Sequence, residues 1–220
     1  MTAKTVVLAT RNAAKLRELA RILGVDDPGG TQIKLVGLDE FPGAPDVPET
    51  GATFEENALL KARAIADCTG LPAVADDSGL CVDALRGMPG VLSARWAGRH
   101  GDDRANLDLV LAQLADVPDA RLGARFVCAA ALVAPGSGPG DAREWVVTGR
   151  VEGRLVRVPR GRGGFGYDPI FLPDGFGQTT AEMTAEAKDA ISHRGRAFRA
   201  LTPFITGMWN GTRAEGLSPI

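Results

Sequence analysis

The chain has 220 residues, with 25 lysines and arginines against 27 aspartates and glutamates, a formal net charge of −2 and 45% hydrophobic residues. That is an ordinary soluble globular composition, long enough for one domain or for two small lobes around a shared core. The charge balance argues against a nucleic-acid polymer, which favours a basic face, and no apolar run reaches the length of a signal-peptide core or a membrane span. Cys68, Cys81 and Cys128 are odd in number, widely spaced and without a CxxC pattern. They read as reduced core residues of a cytoplasmic protein.

Thr5-Val6-Val7-Leu8-Ala9 has the β-branched, apolar character of a buried strand. Thr10 to Lys15 form a polar turn. A helix follows with Leu16, Leu19, Ala20 and Leu23 at i, i+3, i+4 and i+7, stopped by Gly24. Strand, turn and helix is the geometry in which helix amides meet an anion, and Thr10, Asn12 and Lys15 add a hydroxyl, an amide and a cation. An N-capping Asn12 and a solvated Lys15 fit the same residues. The glycines of a P-loop are missing. Residues 25–50 are loop-rich, with a short strand at Ile33-Lys34-Leu35-Val36. Three prolines between Phe41 and Pro48 forbid a regular element there.

Thr53-Phe54-Glu55-Glu56 is a capping box opening a helix whose buried stripe is Phe54, Ala58, Ala62 and Ile65. Asn57 and Lys61 lie four apart on a neighbouring face. Glu49, Glu56 and Lys61 also fit a solvated loop charge and solvated helix residues. The helix ends near Gly70-Leu71-Pro72. Pro72-Ala73-Val74-Ala75 is then a short buried strand, and Asp76-Asp77-Ser78-Gly79 stand at its end. Successive strand side chains point to opposite faces, so the two aspartates have different tasks. Adjacent carboxylates repel unless a cation or donors hold them. The pair is therefore a candidate Mg²⁺ site, since Mg²⁺ takes one or two carboxylates plus phosphate oxygens. A capped polar turn is the other reading.

Leu80-Cys81-Val82 is a further short strand, and Leu107, Val110, Leu111 and Leu114 mark one face of a helix. Ala124 to Ala134 and Glu144 to Val151 read as a hairpin across a Gly/Pro-rich loop at 135–140, with a second turn at Gly149 to Gly153. Gly161 to Asp168 place two aromatics among glycines that allow close backbone approach. That stretch is either a nucleobase platform or a tight connection with core aromatics. Residues 172–183 are a loop. Thr184 to Lys188 open a helical segment, and the last helix packs Phe198, Leu201, Ile205 and Met208, with a bend at Pro203. His193 and Arg194 supply donors where it begins, although a lone histidine also fits a structural place.

Taken together, several of these segments resemble the inosine triphosphate pyrophosphatase family, the Ham1-like proteins of bacterial type. They are Leu8-Ala9-Thr10-x-Asn12-x-x-Lys15, Glu49-Thr50-Gly51-x-Thr53-Phe54-x-x-Asn57-Ala58-x-x-Lys61-Ala62, Ala75-Asp76-Asp77-Ser78-Gly79-Leu80 and Gly87-x-Pro89-Gly90-x-x-Ser93-Ala94-Arg95. Gly163-Gly164-Phe165-Gly166-Tyr167-Asp168-Pro169 and Lys188-x-x-Ile191-Ser192-His193-Arg194 complete them, in order and at compatible spacings. The resemblance implies an α/β fold covering residues 1–220 as a single domain: an elongated two-lobed subunit with a central mixed twisted β-sheet flanked by helices and a ligand cleft between the lobes. It implies a homodimer and Mg²⁺-dependent hydrolysis of ITP, dITP and XTP to the monophosphate and pyrophosphate, which cleanses the nucleotide pool. A pyrophosphatase for other modified nucleoside triphosphates and a non-enzymatic nucleotide-binding protein are the alternatives.

The resemblance also implies a set of site residues. Asp77 would be catalytic, binding Mg²⁺ and orienting or deprotonating the attacking water, with Glu49 as the second metal carboxylate. Thr10, Asn12, Lys15 and Ser78 would hold triphosphate oxygens, and Arg11, Ala13 and Ala14 lie in the same substrate-binding turn. Phe165 would stack on the purine beside Gly166, while Tyr167 and Asp168 shape the nucleoside pocket. Lys188 would add charge at the phosphates or near the base, and His193 and Arg194 would donate to the 6-keto oxygen. The chain departs from the family pattern in the proline-rich stretch before Glu49 and in the loop at 135–140. The first departure leaves the upstream metal carboxylate open among Glu49, Glu56 and Asp76.

Overall fold

Short β-branched runs alternate here with helices that carry one apolar stripe, and a sheet covered by helices buries both. The computed structural model has that architecture. It describes residues 4–11, 13–23, 33–136, 138 and 140–209, with only the backbone for Ala13, Ala14, Lys15 and Glu18. The strands are β1 (Lys4–Leu8), β2 (Ile33–Val36), β3 (Ala73–Val82), β4 (Gly123–Ala134), β5 (Arg143–Leu155) and β6 (Phe171–Pro173). They form one sheet in the order β2-β1-β3-β4-β5-β6. β1 runs parallel to β2 and to β3, pairing Val6 with Leu35 and Leu8 with Val74. β5 and β6 are antiparallel. The expected α/β class and mixed sheet are therefore what the chain adopts. The helices are α1 (Ala13–Leu23), α2 (Phe54–Thr69), α3 (Asp103–Gln113), α4 (Ala185–Ile191) and α5 (His193–Gly207). Among the described residues no helix is long and apolar enough to cross a membrane.

The chain divides into two compact units. The first comprises Met1–Asp77, Ala129–Gly149 and Gly195–Ile220. Val6, Val7, Ala58, Ile65, Val74, Leu132, Leu201 and Ile205 are at most 1% exposed in it. The second comprises Ser78–Cys128 and Arg150–Arg194. Its core gathers Leu80, Val82, Leu107, Val110, Leu114, Phe126, Ile170 and Phe171.

α2 forms where its capping residues and apolar stripe require. Thr53 Oγ1 accepts from Glu56 N at 3.1 Å, and Phe54, Ala58, Ala62 and Ile65 are buried. Glu56 reaches one residue beyond the cap and accepts from Ala52 N at 2.6 Å. Gly70 ends the helix at φ +66°, the left-handed value that glycine adopts without a Cβ penalty. The Gly24 stop and Asn12 lie outside the described residues.

Three expectations are corrected. Residues 73–82 are one ten-residue strand, not two short strands around a polar turn. The acidic and glycine residues stay extended because tertiary partners hold them: Leu80 N donates to Ser93 Oγ at 2.9 Å, and the missing Cβ of Gly79 lets Ser93 and the Gly90 carbonyl close in. β5 likewise runs straight through Gly149 to Gly153. Gly153 pairs with Pro173, and a Cβ there would stand 2.4 Å from the Leu172 carbonyl oxygen, so the glycine admits a neighbouring strand instead of turning the chain. Cys68 is exposed, with Cys81 and Cys128 buried; it lies in the last turn of α2, where its Sγ meets the Gly43 carbonyl at 3.8 Å.

Candidate functional site

In the first unit, the site grows from one strand, one helix and the loop that feeds the helix. Asp77 sits on β3, 7% exposed, and Asp76 beside it is 8% exposed. Asn57, fully buried on the second turn of α2, donates from Nδ2 to Asp77 Oδ2 at 2.9 Å. Its own Oδ1 accepts from Gly51 N at 2.7 Å. One turn further along, Lys61 Nζ meets Glu49 Oε1 at 2.6 Å. The loop 49–52 is thus tied to α2 through Glu56, Asn57 and Lys61.

The electrostatics of this group are unbalanced. Burial pushes the Asp77 carboxyl up to about 6, and Glu49 and Asp76 push the same way, while Lys61 and the Asn57 hydrogen bond pull against them. For Lys61, burial opposes the charge, but Asp76, Asp77 and Glu49 more than reverse it and its pKa is raised. One lysine therefore faces three carboxylates, and a further cation would relieve the excess. The donors are all carboxylate oxygens, the class that suits Mg²⁺. Among the described residues no group of three or more His, Cys, Asp or Glu side chains forms a ready cage. The carboxylates fit an ion that completes its shell with water and substrate oxygens, as Mg²⁺ does.

In the second unit, Asp168 organises the glycine-framed loop. It is 3% exposed and accepts from Phe165 N at 2.8 Å, Thr180 Oγ1 at 2.8 Å and Lys188 Nζ at 2.5 Å. Gly164, at φ +70°, could carry no side chain, since its Cβ would lie 2.0 Å from Asp168 Oδ2. Tyr167 is buried and donates from its hydroxyl to the Ser93 carbonyl at 2.9 Å; burial, then Asp103, raises its pKa. Gly166 N donates to Asp103 Oδ2 at 2.8 Å. A loop pinned at so many points presents one large apolar group outward: Phe165, 52% exposed. Lys188 Nζ and Arg194 Cζ each lie 5.1 Å from its ring centroid, within cation–π range. Arg194 Nη2 donates to Ser78 Oγ at 3.0 Å, and the buried His193 ring stacks on Phe126 at 4.9 Å.

The structure thus brings Asp77, Glu49 and Asp76 into one electrostatic group, and Phe165, Lys188, Asp168, Arg194 and Ser78 into another. Glu56 is committed to the Ala52 amide. Thr10 and Arg11 precede α1, and Arg11 binds Asp46 and the Ala44 carbonyl, each at 2.8 Å. Ala13, Ala14 and Lys15 open α1, the helix expected at that point. Lys61 is no solvated helix residue: its side chain is 16% exposed and paired. Asn57 entered the sequence motif without a role, although its four-residue spacing from Lys61 placed both on one side of α2. Asp103 and Thr180, which pin the glycine loop, carried no local signal, because each acts through a contact distant in sequence, and Ser93 entered a sequence motif without a role.

The family model for the Ham1 family matches residues 6–204. A Streptomyces coelicolor protein named dITP/XTP pyrophosphatase is 61% identical over 200 residues, covering 91% of this chain and 96% of that protein. A Nocardia farcinica protein of the same name is 60% identical over 212 residues, covering 96% of this chain and 100% of its own length. Among solved structures, a nucleoside-triphosphatase / dITP/XTP pyrophosphatase from Mycobacterium abscessus is 57% identical with a TM-score of 0.73, covering 90% of this chain and 99% of that one. A HAM1 protein from Coxiella burnetii is 42% identical with a TM-score of 0.81, covering 92% and 98%.

Proposed function

We propose, from the premise that this chain belongs to the Ham1 family, that it is a nucleoside-triphosphate pyrophosphatase. It hydrolyses the deaminated purine nucleotides ITP, dITP and XTP to the monophosphate and pyrophosphate. Relatives named dITP/XTP pyrophosphatase at 60% identity and above, matched over nearly their whole length, support the substrate class. The observation that carries the chemistry is Asp77, a carboxylate 7% exposed and held by Asn57 Nδ2 at 2.9 Å, in a cluster with Asp76, Glu49 and Lys61. We read residues 1–220 as one domain of this family, acting in the cytoplasm as a homodimer.

Water attacks the α-phosphorus, a new P–O bond forms, and the bond to the α,β-bridging oxygen breaks with its electron pair leaving on pyrophosphate. Such a reaction needs positioning and charge neutralisation more than a covalent nucleophile. Asp77 orients the water and takes its proton. Mg²⁺ held by Asp77 with Glu49 would supply charge neutralisation and Lewis acidity at the triphosphate oxygens. Thr10, Asn12, Lys15 and Ser78, with the turn of Arg11, Ala13 and Ala14, hold those oxygens. Lys61 keeps its proton among the acids and stays a fixed counter-charge.

Phe165 offers a ring face for stacking, framed by Gly166, Tyr167 and Asp168, and Lys188 adds positive charge beside it. His193 and Arg194 donate to the 6-keto oxygen. Adenine would set an amino donor against those donors, and an unpaired polar group in a site rejects an analogue strongly. The test is a panel of nucleoside triphosphates assayed for pyrophosphate release, with Mg²⁺ and with EDTA. Release from ITP, dITP and XTP that is far faster than from ATP and stops with EDTA supports the proposal. Preference for a modified pyrimidine triphosphate would transfer the activity to another substrate, and binding without release would make the protein a nucleotide sensor.

A further inference from the structure

We infer that Asn57 is a positioning residue, which fixes which oxygen of Asp77 is presented to the metal and locks the Glu49 loop to the same point. The inference rests on the reading of Asp77 as a metal-binding carboxylate. An amide has two distinct ends, and here both are assigned by their partners. The oxygen accepts from Gly51 N at 2.7 Å, so the nitrogen end must face Asp77, where it donates to Oδ2 at 2.9 Å. A flipped amide would oppose two acceptors at Asp77 and two donors at Gly51. Asp77 Oδ2 is therefore held by Asn57, and Oδ1 is the oxygen that Asn57 leaves to other partners.

Three features make this more than a helix residue finding a hydrogen bond. Asn57 is 0% exposed, so no water can replace either contact cheaply. Gly51 is required for the contact: a Cβ there would lie 2.8 Å from Asn57 Oδ1 and 2.7 Å from Glu56 Cβ. Glu49, two residues before that amide, is itself fastened to Lys61 on the next turn of the same helix. One side chain thus couples the position of the Asp77 carboxylate to the loop that carries Glu49. Groups that orient metal-binding side chains in this way are commonly worth about 10- to 100-fold in metal affinity or activity.

The experiment measures Mn²⁺ binding by electron paramagnetic resonance in the absence of nucleotide, with ITP kinetics alongside, for wild type, Asn57→Ala, Asn57→Ser and Asp77→Asn. Asn57→Ser keeps a hydroxyl and admits water, so it remains informative if Asn57→Ala does not fold. Both Asn57 variants are expected to bind Mn²⁺ about 10- to 100-fold more weakly and to lose kcat by a similar factor, with the KM for ITP changed less than about 3-fold. A purely structural asparagine would lower the melting temperature and leave the Mn²⁺ affinity of the folded protein untouched, and that result overturns the inference. If Asp77→Asn also binds Mn²⁺ like wild type, the fault lies with the reading of Asp77. If Asp77→Asn loses the ion and the Asn57 variants keep it, Asn57 alone is misassigned.

Discussion

Replacing Asp77 with asparagine should make the metal-free protein more stable while abolishing its turnover. An acid whose pKa is raised on folding binds its proton more tightly in the folded state. Stability is then lost as pH climbs from the unfolded value, 3.8, through the folded one, about 6. Above that window the penalty is complete, and below it there is none. The shift corresponds to about 3 kcal/mol at most, because the substituted amide sheds the buried charge but also takes one counter-charge from Lys61. The side chain at 77 could still accept the Asn57 hydrogen bond. In a chain of this length the gain is a rise in Tm on the order of 5–10 °C. Urea denaturation with EDTA at pH 8 and at pH 3 reads the effect. Asp77→Asn should exceed wild type at pH 8 and match it at pH 3, and saturating Mg²⁺ at pH 8 should narrow the gap by stabilising wild type alone. A variant no more stable than wild type at pH 8, or equally shifted at both values, would refute the account of a strained carboxylate. Wild-type-like ITP hydrolysis by the variant would remove Asp77 from the mechanism.

Arg194→Ala should lower kcat/KM for ITP far more than for ATP, by on the order of 10- to 100-fold in the ratio, the range of a lost charged hydrogen bond. Equal losses on both nucleotides would show that Arg194 does not read the base. Phe165→Ala should raise the KM for ITP by about 5- to 100-fold, from ~1–3 kcal/mol of stacking, and leave kcat within a few-fold. A fall in kcat at constant KM contradicts the stacking role. Gly79→Ala places a Cβ 2.4 Å from Ser93 Oγ and 2.5 Å from the Gly90 carbonyl oxygen, and should cost about 1–3 kcal/mol in denaturant titration. Gly43→Ala, with nothing within 4 Å, is the matched control and should fall within about 0.5 kcal/mol of wild type.

Where local chemistry decides the backbone, the sequence already shows the structure. Thr53, the stripe from Phe54 to Ile65 and Gly70 define α2 at both ends, and Leu107 and Val110 mark the buried face of α3, with the buried Leu114 at its C-terminal end. Where distant partners decide it, local reading fails. Asp76-Asp77-Ser78-Gly79 has the composition of a turn, yet Asn57, Ser93 and Arg194 supply partners that let it stay extended inside the sheet. Gly149 to Gly153 fail the same way, because the reason for Gly153 is the backbone of β6. The candidate site divides along that line. Asp77, Phe165 and Lys188 stand in motifs with recognisable chemistry. Lys61 and Asn57 look like ordinary helix-surface residues until the loop at 49–51 folds over them.

The two units are interleaved along the chain, which passes from one to the other after Asp77, Cys128, Gly149 and Arg194. Neither can be excised as a continuous gene fragment, and a single protease nick cannot release either whole. Recombination that trades one half of such a protein for a foreign counterpart would need several simultaneous junctions, three of them inside β-strands. The carboxylate-bearing portion and the aromatic portion therefore cannot be parted by one break in the chain.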